Sequence, residues 1–321
     1  MENIIEYKDI EQAYKRIRGY VKHTPLLSGE KLEKFTNCQV YLKPENLQLT
    51  GSFKLRGALN KILQLSDEEK AKGIVAASSG NHGQGVAYAA KKLGVRATII
   101  LPEDAPSVKI EGIKAFGADV ILCGYTSAER FKKLEEVRQE KGYTLVHPFD
   151  DPQIMAGQGT IGCEIMEDMT DIDVVVVPMS GGGLISGIST AIKERMPQIK
   201  IIGVETEAVP RFSESRKAGK PVEVPIKNTI ADGLKNSKPG KYTYPIIEKY
   251  VDEMCTVTDR EIYNAMNKVL FETKLLIEPS ASVGIAAAIS GKLPDIKDKK
   301  VCFVLSGGNV DAKRLVEVVN V

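Results

Sequence analysis

Short runs of β-branched and other apolar residues recur along the chain, and each leads into a stretch whose apolar positions fall at helical spacing. Residues 74–77, 97–101, 119–122 and 144–146 read as strands, with helices over 86–93, 108–116 and 129–141 between them. A second series begins at 173–177, continues at 200–204 and closes at 301–305. These runs do not alternate with polar residues, the pattern of strands covered on both faces. Strands alternating with helices at this spacing predict βαβ units and parallel sheets. The expected fold class is α/β with two parallel-sheet domains. A small inserted α/β domain is expected over 73–147, inside a larger domain made of 1–72 and 148–321. The stretch 211–240, richer in Pro, Gly, Lys and Ser, reads as a long excursion.

A length of 321 residues accommodates two such units. Lys plus Arg number 44 and Asp plus Glu 42, so the balance is 44 − 42 = +2. That lacks the basic footprint of a nucleic-acid binder. No apolar run approaches the ~20 residues of a membrane span. The N-terminal stretch is charged and has no signal-peptide core. Neither nucleic acid nor membrane is expected as a partner, and cytoplasmic residence follows as the expectation. Cys38, Cys123, Cys163, Cys255 and Cys302 are scattered and form no CxxC pair, which points away from zinc and from a disulfide framework.

Candidate chemistry gathers where strands end. Three apolar runs terminate in Ser-Gly: at Ser79-Gly80-Asn81-His82, at Ser180-Gly181-Gly182-Gly183-Leu184, and at Ser306-Gly307-Gly308-Asn309. In parallel sheets, ligands sit at the carboxyl ends of strands. Residues 180–184 form the best anion cradle, because consecutive glycines let N–H groups converge ahead of a helix. The run lacks the Gly-Lys-Ser/Thr of a Walker loop and does not meet GxGxxG. Glu205, however, ends the next strand, about where a ribose-binding acid would stand, so a dinucleotide site stays open at this point. Residues 79–83 suit a small anion or, equally, a strand–helix cap. His82 has no triad arrangement around it.

Lys54 opens the apolar helical pattern Leu55, Ala58, Leu59, Ile62, Leu63. A cation is disfavoured in a first helical turn. That placement, burial and nearby Arg56 are expected to depress its pKa, and a neutral amine can form a Schiff base. The other reading is a solvated surface lysine.

The motifs together resemble the fold-type II pyridoxal-phosphate (PLP) enzymes, in the threonine/serine dehydratase and serine racemase branch. Their carriers run from His23-Thr24-Pro25-Leu26 through Lys43-Pro44-Glu45-Asn46, residues 51–58, 78–85 and 156–160 to residues 180–184 and 306–311. The resemblance implies PLP in a cleft between two domains. Lys54 would carry the cofactor and serve as general base, with Ser79 on the opposite ring face. Phe53 would pack against the ring, and Ser180, Gly181, Gly182, Gly183 and Leu184 would hold the phosphate. Asn81 would bond the ring hydroxyl and Ser306 the pyridine nitrogen. Ser78, Ser79, Gly80, Asn81 and His82 would bind the substrate carboxylate, largely through the backbone. A neutral hydroxyl at Ser306 favours β-elimination over transamination.

The activity implied is an L-threonine/L-serine ammonia-lyase giving 2-oxobutanoate or pyruvate plus ammonia. Serine racemase or 3-hydroxyaspartate dehydratase is the alternative within the branch; a dinucleotide-binding oxidoreductase and a non-enzymatic ligand-binding regulator are those outside it. Racemase-like members bind a divalent cation through a Glu, a backbone carbonyl and an Asp. Here Glu205 matches the first, but Arg211 stands at the last position, so no metal is expected and the guanidinium reads as a substitute cation pairing with Glu205. Glu207 is the one residue that could replace the missing acid. Residues 147–152, His-Pro-Phe-Asp-Asp-Pro, look like the threonine dehydratases. The chain ends ten residues after Asp311, so no regulatory domain of the biosynthetic type is expected. A homo-oligomer, dimer or tetramer, is the expected assembly.

Overall fold

The computed structural model describes residues 4–78, 80–105 and 107–320. Ten strands form two sheets among the described residues. They are β1 (Leu27–Ser28), β2 (Gln39–Pro44), β3 (Ile74–Ala77), β4 (Ala97–Leu101), β5 (Asp119–Leu122), β6 (Thr144–Leu145), β7 (Val174–Pro178), β8 (Lys200–Thr206), β9 (Glu253–Val257) and β10 (Lys300–Leu305). The larger sheet has the order β1-β2-β10-β7-β8-β9 and the smaller β5-β4-β3-β6. Every pairing is parallel except β1 with β2. The apolar runs read as strands are all strands. The pattern did not announce β1, β2 and β9. Lys43 interrupts β2, β1 has two residues, and β9 is a half-exposed edge. None of the three shows a continuous apolar run.

Alternate residues of the central strands serve opposite cores, as the pleat requires. Val174, Val176, Phe303 and Leu305 face one core, with Val283 and Ile285 of the helix Pro279–Ile289. Val175, Val177, Cys302 and Val304 face the other, with Ile185, Ile188 and Ile192 of the helix Gly183–Lys193. The smaller sheet packs Ile74, Ala76, Ile99 and Leu101 against the helix Asn81–Leu93. That same core takes Leu55, Ala58, Leu59 and Ile62 from the helix Lys54–Leu63, and Ile154 from the helix Pro152–Asp168. The packing unit around the smaller sheet is thus wider than residues 73–147, because the Lys54 helix has an apolar stripe to bury and the smaller sheet supplies the surface for it. The excursion at 211–240 holds a helix, Arg211–Ala218, and a 3-10 turn, Asp232–Leu234. No helix is long and apolar enough to cross a membrane, among the described residues.

Candidate active site

Lys54 is the first residue of its helix, as its spacing predicts. The residue is half-buried, and its amine donates to Pro148 O at 2.7 Å. Burial lowers its pKa to about 8, and Glu278 pulls weakly the other way. Arg56 has no part in this shift, contrary to the expectation. Two residues apart on a helix do not share a face, and the Arg56 guanidinium points away into a buried cluster. There it meets Glu45 at 2.7 Å and Glu164 at 2.6 Å, with Lys43 2.8 Å from Glu164.

All three glycine-rich loops converge on Lys54. The stretch after β10 pairs with the residues just before the lysine: Phe53 N donates to Ser306 O at 3.1 Å, Gly308 N to Gly51 O at 2.9 Å, and Ser52 bridges Gly307. Ser306 is buried at the strand end. Loop 180–183 reaches the lysine through Phe149, whose ring lies where side chains on Gly181 would project; the main chain beside Pro148 occupies the same space at Gly183. The helix Asn81–Leu93 presses its backbone against Lys54, since a Cβ on Gly85 would stand 3.1 Å from Lys54 C and Leu55 N. Phe53 is half-buried, and its ring centroid lies 5.1 Å from the Lys54 amine.

The helices Asn81–Leu93 and Gly183–Lys193 begin after Gly80 and Gly182 with no side-chain cap, as do Lys54–Leu63 after Phe53 and Pro279–Ile289 after Glu278. Gly80 holds the N-cap position without a side-chain cap, so the strand–helix cap read over 79–83 is not realised; the Ser78 hydroxyl accepts from Gly80 N at 3.2 Å. Uncapped N–H groups with a helix dipole behind them suit anions. Gly182 has φ +96, a left-handed conformation that favours glycine, and Ile247, Phe212 and Thr243 crowd its Cβ position. Thr243 Oγ1 also donates to Gly181 O at 2.7 Å. Leu184 is buried in the core, which leaves only its main chain for a ligand. One uncapped glycine cradle for a phosphate and a lysine amine of depressed pKa fit PLP, and the uncapped start of the helix Asn81–Leu93 suits a substrate carboxylate.

Asn81 is held at both ends. Its Nδ2 donates to both Glu278 oxygens, at 2.8 and 3.0 Å, and its Oδ1 accepts from Asn309 Nδ2 at 2.8 Å. Those partners fix which end of the amide is which. Glu278 is the site residue that sequence reading missed. It is 7% exposed, and burial raises its pKa to about 7. Its signal was a lone acid in the apolar run 275–289. His82 is buried, donates to Val146 O at 2.8 Å, and is pushed by burial down to about 3; its ring is neutral at pH 7. Ser79 lies outside the described residues.

Glu205 is fully buried and engaged by Phe212 N, Ser213 N and Ser213 Oγ at 2.8–3.0 Å, which leaves it no reach toward a ribose. Arg211 Nε faces it at 3.8 Å. Glu207 is exposed beyond the end of β8 and does not share the pocket of Glu205, because the extended stretch stops at Thr206.

Residues 17–307 match the family described as pyridoxal-phosphate dependent enzyme. The chain is 47% identical to the L-threonine ammonia-lyase of Thermotoga maritima, over 99% of this chain and 79% of that protein. It is 46% identical to the catabolic L-threonine dehydratase TdcB of Staphylococcus aureus, over 99% and 92%. The serine racemase of Dictyostelium discoideum superposes with TM-score 0.91 at 40% identity, over 96% of this chain and 99% of that one.

Proposed function

The chain belongs to the pyridoxal-phosphate dependent enzymes, and we propose that within them it is an L-threonine/L-serine ammonia-lyase. The observation that carries the mechanism is the convergence of three glycine-rich loops on one lysine amine of depressed pKa. PLP, when bound, supplies an aldehyde that condenses with amines and a ring that withdraws charge from the substrate α-carbon.

This chain's residues do the rest. The N–H groups of Gly181, Gly182, Gly183 and Leu184, with Ser180, hold the phosphate. Phe53 would pack on the ring, Asn81 would face the ring hydroxyl, and Ser306 would meet the ring nitrogen as a neutral partner. Residues 78–82 hold the substrate carboxylate through main-chain N–H groups. An amine near pH 8 is partly neutral in the cell's range, so Lys54 Nζ takes the α-proton. Ser79 is assigned to the opposite ring face on its motif alone. The β-hydroxyl leaves as water; the enamine then takes up water and releases ammonia, so threonine gives 2-oxobutanoate and serine gives pyruvate.

Residues 73–147 serve as the small inserted domain, with the helix Lys54–Leu63 of the larger one packed onto its core. The reading includes a cytoplasmic homo-oligomer. Leu47, Leu49 and Leu276, each about 40% exposed around the Asn46–Leu276 hydrogen bond, offer apolar surface for a second copy. The test is an absorption spectrum followed by turnover. A violet-blue band lost on borohydride reduction, with the added mass on Lys54, and 2-oxobutanoate from threonine are expected. A panel of threonine, serine and 3-hydroxyaspartate ranks the substrates. D-serine from L-serine faster than pyruvate would replace this reading by the racemase.

A further inference from the structure

Four consecutive residues after β6 each reach a different part of the site. Pro148 O takes the Lys54 amine, and the Phe149 ring lies against Gly181. Asp151 caps the helix Pro152–Asp168 by accepting the N–H groups of Gln153 and Ile154. Asp150 is the member that the chemistry just described leaves unused. Its Oδ2 accepts the Lys241 N–H at 2.8 Å, and its Oδ1 accepts those of Tyr242 at 2.8 Å and Thr243 at 3.3 Å. These groups open the helix Thr243–Tyr250, whose own N-cap residue, Tyr242, gives no side-chain bond. A carboxylate from a distant stretch thus satisfies orphan donors and complements the helix dipole. The two segments meet closely: a Cβ on Gly240 would stand 2.4 Å from Asp150 Oδ1.

Thr243, held by Asp150 through its main chain, reaches the glycine loop with its side chain. It is fully buried. Its Oγ1 accepts the Gly240 N–H at 3.0 Å and donates to Gly181 O at 2.7 Å, so the one hydroxyl proton is committed to that carbonyl. The peptide between Gly181 and Gly182 is trans, so the Gly182 N–H points the opposite way from the held carbonyl. Thr243 Cβ also stands 2.8 Å from the Cβ position of Gly182, whose φ is +96. One side chain therefore sets the direction of a loop N–H and admits only glycine beside it. We infer that Thr243 is a positioning residue that aims the Gly182 N–H at the cofactor phosphate. Asp150 anchors it, so that the run 148–150 places the Lys54 amine and the phosphate loop together. The inference rests on reading loop 180–184 as the phosphate holder.

The experiment compares Thr243→Val, which keeps the shape and removes the hydroxyl, with Thr243→Ser, which returns it. For each cofactor-free protein it reads the Kd for PLP and, separately, for pyridoxal, which has the ring and aldehyde but no phosphate. Thr243→Val should weaken PLP by about five- to tenfold, the worth of one buried hydrogen bond, and leave pyridoxal within about twofold of wild type. Thr243→Ser should bring PLP back to within about twofold of wild type. A merely structural loss would move both ligands alike. The inference is overturned by PLP affinity within about twofold of wild type in Thr243→Val, by an equal loss for PLP and pyridoxal, or by a serine variant no better than the valine one. Where Thr243→Val fails to fold, Asp150→Asn loosens the anchor from outside, since an amide nitrogen then faces main-chain N–H groups. PLP should weaken by at least about threefold with pyridoxal unchanged, and an unaltered ratio of the two Kd values overturns the inference equally. A wild type that binds PLP no more tightly than pyridoxal sinks the reading of the loop, and the inference with it.

Discussion

Lys54 and Arg56 stand two residues apart on one helix and live in opposite electrostatic worlds. Arg56 is fully buried with Glu45 and Glu164 against it. Burial works against its charge, but the two carboxylates outweigh that and hold the guanidinium above its usual range. Lys54 is half-buried, its amine is paired with a carbonyl, and burial alone pulls it down to about 8. One side of the helix compensates a charge and ties segments 43–45, 54–63 and 152–168 together. The other leaves a charge uncompensated beside the glycine loops. The difference separates a structural ion cluster from a reactive amine, and perturbed groups of the second kind mark functional sites.

The largest effect expected is that of Lys54→Ala on turnover. 2-Oxobutanoate formation should fall by at least about 10³-fold, since nucleophile and general base vanish together. Urea unfolding should change by less than about 1 kcal/mol. Activity within about tenfold of wild type would mean another lysine does the chemistry.

Arg56→Met should do the reverse. It strands Glu45 and Glu164 in the interior, at a cost of about 3–5 kcal/mol in urea unfolding. A loss below about 1 kcal/mol would show that Lys43 alone can neutralise the cluster, and the contrast between the two faces would fail.

Glu278 sharpens the comparison, being an acid on the Lys54 side. Its pKa rises from 4.5 in the unfolded chain to about 7 in the folded protein. Between those values the unfolded state binds fewer protons, so stability falls as pH rises. The loss should total on the order of 3 kcal/mol across that window. Glu278→Gln should remove this slope from a series of urea titrations between pH 4 and 8. A variant with the same slope as wild type would show that Glu278 titrates normally.

The smallest effect concerns loading. The rate at which cofactor-free protein binds PLP covalently should rise about tenfold per pH unit below 8 and level off above it, as the Lys54 amine loses its proton. A stopped-flow absorbance series measures this; a plateau only near 10 would remove the depressed amine from the account.

Much of this was readable in the chain because it is local. The strand runs 74–77, 174–178 and 301–305 are apolar throughout, and a glycine-bearing loop follows each. The lysine at the head of an amphipathic helix is equally visible. Reading failed where a group's partner is distant in sequence. Arg56 was expected to act on Lys54, its chain neighbour, but its partners lie 11 and 108 residues away. Glu278 meets Asn81 across 197 residues. The helix Pro279–Ile289, made mostly of small apolar residues, has little amphipathic contrast because it is buried all round.

The sequence alone determined the parallel α/β class, the loops that can bend tightly enough to hold anions, and the lysine placed where a helix dipole opposes its charge. Those follow from side-chain period and from the steric freedom of glycine, which need no partner. The tertiary structure decided which charges are compensated. It set Arg56 between two carboxylates, left Lys54 with only a carbonyl, turned Glu278 onto Asn81 and enclosed Arg211 in carbonyls of three segments. Burial and proximity set a group's protonation and reach, and both come into being only when distant stretches pack together.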